Sequence, residues 1–183
     1  MKVTLNLIII MLLVSTGVHA QKYMTKNGHI SFFSSMPMED IEAHNLQVNA
    51  ALNTQTGDFV FKVLIKSFEF KKALMQEHFN ENYMDSHKYP NATFQGKVTN
   101  LGEIDFGKDG EYPAQVDGKL TIHGVTQEVK ETGVFIIGKG IINSKSIFNL
   151  MTADYNIKIP KAVINNIAES IELRVDVKLE PLK

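Results

Sequence analysis

The residues best suited to chemistry crowd into residues 75–94, MQEHFNENYMDSHKYPNATF, where His78 and His87 stand among Glu77, Glu81 and Asp85. An imidazole beside a carboxylate can act as a general base with its orienting partner, or the two can share a metal ion. The spacing speaks against both. A helical metal site sets two ligands four apart on one face, with a third from elsewhere. His78 and His87 are nine residues apart across a turn-forming Asp85-Ser86-His87 segment. Adjacent Glu77 and His78 point to different sides of a helix. These polar residues read as a solvated helix face. The same stretch sets Met75, Phe79 and Tyr83 at intervals of four, with Leu74 beside them. That is the apolar stripe of a short helix, predicted over residues 72–83.

Other reactive constellations are thinner. The chain has no cysteine, so thiol nucleophiles, thiolate metal sites and disulfides are out of reach. No G-x-S-x-G elbow occurs, and Ser34-Ser35 sits at a strand-to-loop transition. A glycosidase needs two carboxylates held across a groove, and no spacing selects two from Glu69, Glu77, Asp85 and Asp154. His123 falls in residues 120–126, LTIHGVT, a strand, a Gly turn and a returning strand. A histidine there serves its own turn. No metal and no cofactor is expected. The catalytic alternative is a hydrolase or isomerase acting on an amphiphile through His78, His87 or His123 and a carboxylate. It requires two such groups within hydrogen-bond reach in one pocket.

These residues must be positioned by an exported domain. Lys2, the apolar residues 5–14 and Val18-His19-Ala20 form the three zones of a signal peptide, residues 1–20. An uncleaved anchor is the rival reading, but the apolar zone is short for a span. No cysteine follows it to carry a lipid anchor. The expectation is a periplasmic or secreted protein whose residues 21–183 form a single domain. The chain carries 19 basic and 20 acidic side chains, and removing Lys2 with the leader takes the net charge from −1 to −2. Without a basic run, nucleic acid is not an expected partner. No later apolar stretch is long enough to cross a bilayer, so no stable membrane span is expected after cleavage.

Period-2 alternation dominates. Leu46, Val48, Ala50 and Leu52 alternate with polar or small residues, and a turn at residues 53–58 leads into a strand over 59–70. That pair predicts a hairpin. Further strands are predicted at residues 28–33, 94–100, 115–123, 127–137, 145–152 with 153–159, and 170–179. In the last, Ile171, Leu173, Val175, Val177 and Leu179 face one way and charged residues the other. A second short helix is predicted at 161–168, after Pro160. Strands at hairpin spacing imply an antiparallel sheet, closed as a barrel or folded as a sandwich. Periodicity does not separate the two. Eleven phenylalanines and no tryptophan, with several strands apolar on both faces, leave the interior either filled by side chains or lining an apolar ligand.

One resemblance narrows this. Residues 65–68 (IKSF), a short helix, residues 88–94 (KYPNATF) and residues 120–126 (LTIHGVT) occur in the order seen in the YceI-like family of exported proteins. The match spans roughly residues 59–134. The chain departs from the family pattern in starting the helix with Met75-Gln76 where an Arg-Asp pair is common, and in lacking a Gly-x-Phe near residues 31–39.

The resemblance implies an all-β fold with one or two short helices, an extended eight-stranded antiparallel lipocalin-like β-barrel. It implies a long apolar ligand, an isoprenoid or fatty lipid, bound without catalysis, and supplies no catalytic residue. It leaves the oligomeric state open, a dimer included. The residues expected to line the cavity are Phe59, Phe61, Val63 and Ile65 from one strand, then Phe68 and Phe70. The helix adds Leu74, Met75 and Phe79. Later strands add Phe94, Leu120, Ile122, Phe148 and Tyr155, with His123 or Tyr155 near a head group at the mouth.

Overall fold

The computed structural model describes residues 21–35, 40–159 and 169–182; the predicted leader and the helix predicted at 161–168 lie outside the described residues. Nine strands form in chain order. They are β1 (Lys22–Ser34), β2 (Ile41–Asn53), β3 (Asp58–Leu64), β4 (Glu69–Phe70), β5 (Asn91–Val98), β6 (Gly110–Ile122), β7 (Val125–Gly138), β8 (Ile141–Met151) and β9 (Ser170–Pro181). They join antiparallel in the order β1-β9-β8-β7-β6-β5-β3-β2, and β1 pairs again with β2. That last pairing closes eight strands into a barrel and removes the edges a sandwich would leave. β4 is a two-residue stub on β2. Between β4 and β5 lies helix α1 (Ala73–His78), which runs on through one wider turn, Phe79–Tyr83.

Local sequence explains the hairpins. The β2–β3 turn is held by Asn53, whose Oδ1 accepts the N–H groups of Gln55 and Thr56 at 2.9 and 3.3 Å. Ile122 stands opposite Val125, so β6 and β7 are joined by His123 and Gly124 alone. Both have positive φ, 51° and 75°. Such a turn carries the twist that two antiparallel strands need. A side chain at Gly124 would also strike the Tyr89 ring, which lies 2.4 Å from the position of a built Cβ. His123 meets the same ring edge-on at 4.7 Å between centroids. The two most distinctive sequence pieces, KYPNATF and LTIHGVT, thus pack on each other.

Three expectations need correcting. Leu46 is not inward but 58% exposed. Ala43 and Asn45 are buried, Leu46 and Gln47 both face out, and Val48, Ala50 and Leu52 are buried again. A bulge therefore shifts the phase of β2, where the register against β1 also breaks, between Gly28 and Ile30. Buried Asn45 stitches it: its Oδ1 accepts the Gln47 N–H and its Nδ2 donates to the Leu64 carbonyl, both at 2.9 Å. The strand predicted over 59–70 stops at Leu64: the Ile65 N–H still bonds the facing Pro90 carbonyl at 2.9 Å, but proline has no N–H to return, and a tight turn, Ile65–Ser67, follows. Residues 153–159 are not a strand either; a turn, Thr152–Tyr155, ends in Asn156 with φ 54°.

At the end where β1 begins, inward side chains fill the barrel. Tyr23, Leu52, Val98, Phe135, Ile142 and Leu179 are all buried there, with Ile104 from the β5–β6 connection as a plug. Burying each contributes about 1.5–3 kcal/mol. The outer wall is wet, with ion pairs such as Lys97–Asp58, Lys130–Asp117 and Lys145–Asp176. Exposed pairs of this kind are screened by water and salt and add little to stability.

Candidate ligand-binding site

Toward the other end the same inward alternation leaves a hollow of about 380 Å³. That volume falls in the range of roughly 300–1,000 Å³ usual for small-molecule sites. Its walls are inward faces of the strands, its floor is Phe59, Ala114 and Phe135, and helix α1 with the turn after it borders it from above. The turn is closed by the Met84 N–H on the Phe79 carbonyl at 2.9 Å. It carries Phe79 into a group of four rings. Phe79 lies 5.5 Å from Phe32, 5.6 Å from Phe68 and 5.0 Å from Phe70, centroid to centroid. Offset and edge-on rings at such distances add about 0.5–1.5 kcal/mol per pair beyond burial.

Of the residues predicted to line the cavity, Phe59, Phe61, Val63, Ile65, Phe68 and Phe70 stand on its wall. So do Met75, Phe79, Phe94, Leu120, Ile122 and Phe148. Leu74 does not: it is 60% exposed, because one residue around a helix turns the side chain about 100° away from the Met75–Phe79–Tyr83 face. Tyr155 is also absent from the wall. It is buried behind it, packed with Ile65, Met84 and Ile122. Burial, then the negative Asp154 and Glu131, holds its phenol above the ordinary value.

The histidines are scattered. His78, expected on the solvated face, is exposed yet borders the cavity from α1. His87 is exposed, its Nδ1 3.4 Å from Lys66 Nζ. His123 Nδ1 lies 3.2 Å from the Tyr155 carbonyl oxygen. That oxygen can only accept, so this nitrogen carries the proton. Among the described residues none of the three has a carboxylate partner, and no group of three His, Asp or Glu residues is placed to hold a metal. The pair that the catalytic alternative requires is not assembled among them.

Two of the wall residues that sequence reasoning missed stand out. Phe32 is the hub of the aromatic group, touching Phe68 and Phe70 as well as Phe79. Glu131 is the other. On β7 the inward phase runs Val129, Glu131, Gly133, Phe135, all four on the cavity wall. Period-2 counting back from Phe135 was the signal that finds it. Its carboxyl has no hydrogen-bond or ion-pair partner among the described residues, and burial holds it above the ordinary carboxylate range. An enclosure this apolar binds by removing hydrocarbon from water.

A family model for the YceI-like domain matches residues 18–179. None of the curated proteins matches the chain in sequence. Among solved structures, a polyisoprenoid-binding domain from Saccharophagus degradans, implicated in plant cell wall breakdown, is similar with a TM-score of 0.77 and 13% identity. The similarity covers 89% of this chain and 99% of that one. Burkholderia cenocepacia BcnA is similar at TM-score 0.65 and 14% identity, over 83% of this chain and 95% of its own. The Campylobacter jejuni YceI protein follows at TM-score 0.60 and 14% identity, over 79% and 86%. At such identities these likenesses speak for the fold alone.

Proposed function

The chain belongs to the YceI-like domain family, and from that premise we propose that it is an exported, non-catalytic carrier of a long apolar molecule, an isoprenoid or fatty lipid, held in the upper half of the barrel. The observation that carries this reading is the 380 Å³ hollow with its predominantly apolar wall. Each methylene moved from water into such a wall contributes about 0.8 kcal/mol, so a chain of ten or so carbons binds firmly without a strong polar anchor. The polyisoprenoid named for the Saccharophagus domain is a ligand of this physical kind. The leader-like residues 1–20 support export, with residues 21–183 as the working domain. Among the described residues no helix is long and apolar enough to cross a membrane.

The test is native mass spectrometry of the protein purified from its own cell envelope, followed by solvent extraction. A non-covalent adduct whose mass matches an extracted lipid is the expected result. Protein that emerges empty and takes up no prenyl or acyl chain on incubation overturns the reading.

A further inference from the structure

Among the described residues the barrel ladder is incomplete along one seam. β7 and β8 share ladder bonds only from Val134 opposite Lys145 to Gly138 opposite Ile141. Yet β7 starts at Val125 and β8 runs to Met151. Gly133 marks the last close approach: a Cβ there would lie 2.5 Å from the Lys145 carbonyl oxygen, so only glycine fits. Beyond it Ser146 Oγ crosses the seam, donating to the Thr132 carbonyl at 2.6 Å. The far end of the seam is tied by Gln127 Nε2 donating to the Asp154 carbonyl at 2.8 Å. Between these ties residues 128–133 and 146–151 form no ladder with each other among the described residues. Six residues of strand make a slot about 20 Å long.

The cavity reaches this slot. Exposed Thr132 and outward-facing Lys145 border it, as do Val129, Ser146 and Phe148 from inside. Lys145 is committed elsewhere, to Asp176 at 2.8 Å. The ionisable group that faces inward at the slot is Glu131, between Val129 and Gly133 on the same strand face. Tyr155, whose phenol feels the Glu131 charge, is the other titratable side chain nearby. The half-buried Glu131 carboxyl faces the hollow from the strand edge, where a donor on a ligand can reach it.

We propose that the β7–β8 slot is where the carrier reads its ligand's head group, with Glu131 accepting a hydrogen bond from an uncharged donor, a hydroxyl or a primary amide, and turning away carboxylates. The inference rests on the carrier reading above and adds the class of amphiphile carried. An apolar chain lying in the hollow places its polar end at the slot, the flank where the wall opens. A donor there completes the carboxylate. A fatty carboxylate brings a second negative charge to the same place, where low polarity magnifies repulsion. Glu131 has no hydrogen-bond or ion-pair partner among the described residues, so its oxygens are open to a donor brought by the ligand.

The test is displacement of a bound fluorescent polyene at pH 8 by hexadecan-1-ol, hexadecanamide and hexadecanoate, with the wild-type chain and with Glu131→Gln. A hydrogen bond to a charged acceptor is expected to make the alcohol and the amide bind at least about tenfold tighter than the acid. The alcohol and amide arms show which donor the slot prefers. In Glu131→Gln the three affinities should converge to within about threefold. Equal wild-type affinities, a preference for the acid, or a preference that survives the substitution overturns the inference and leaves the carrier standing. If none of the three displaces the polyene or binds directly, the carrier reading itself falls. Glu131→Thr, which suits a strand, repeats the comparison if Glu131→Gln does not fold.

Discussion

At the end where β1 begins, inward side chains from facing strands meet, and Leu52, Phe135, Ile142 and Leu179 are at most 1% exposed. At the other end the same strands turn Phe61, Phe94, Leu173 and Val175 toward the hollow, with α1 and its ring cluster bordering it. Both halves share strands, alternation and aromatic content. The solid half uses an extra plug, Ile104 with Leu101 and Phe106, from the β5–β6 connection. The hollow half receives a helix that borders the space instead of filling it. On the proposed reading, stability resides in one half and binding in the other, and each can be damaged separately.

The largest effect separates them from the solid side. Leu52→Ala removes a fully buried side chain that is not on the cavity wall, and should cost about 2–5 kcal/mol in urea unfolding. Chain-binding by the remaining folded protein should change little. Next is filling the hollow. Val129→Phe should cut polyene affinity by about a hundredfold without lowering the melting temperature, since the added ring enters empty space. A loss of stability instead would mean that the upper half is already packed. Phe79→Ala takes one ring from the cluster of four and should weaken binding by about tenfold. Its stability cost should stay below that of Leu52→Ala, because Phe79 faces the hollow.

The smallest effect concerns Glu131 in the empty protein. Its carboxyl is held above the ordinary 4.5 by burial. The folded state thus holds its proton more tightly than the unfolded state, and folding stability falls as pH rises through that window. Above it the charge opposes folding; below 4.5 the carboxyl is neutral in both states. Glu131→Gln should therefore raise the melting temperature by about 2 °C at pH 7.5 and have no effect at pH 4. Such a gain is what a residue kept for binding rather than for folding shows.

The sequence carried most of the barrel and little of its filling. Strict alternation gave β9 its inward face, and His123-Gly124 gave the β6–β7 turn, because both are local properties of the chain. The bulge in β2 was invisible because it depends on buried Asn45 bonding to Leu64, nineteen residues away. The break after Leu64 depends on Pro90 in the same way. Leu74 was assigned to the greasy side of the helix by adjacency, whereas only the four-residue spacing of Met75, Phe79 and Tyr83 bears on direction. Tyr155 was read as part of a strand that is in fact a turn. Solid and hollow halves have the same period, so no count along the chain distinguishes them. That difference arises from what the connections insert at each end.

The comparison between the halves is tested most directly by methyl-resolved NMR during titration with a perdeuterated sixteen-carbon alcohol. The account predicts shifts at Val63, Ile122, Leu173 and Val175 around the hollow, with Leu52, Ile142 and Leu179 in the solid half unmoved. Shifts confined to outward methyls such as Ile147, Val60 and Leu46, with the interior silent, would contradict it.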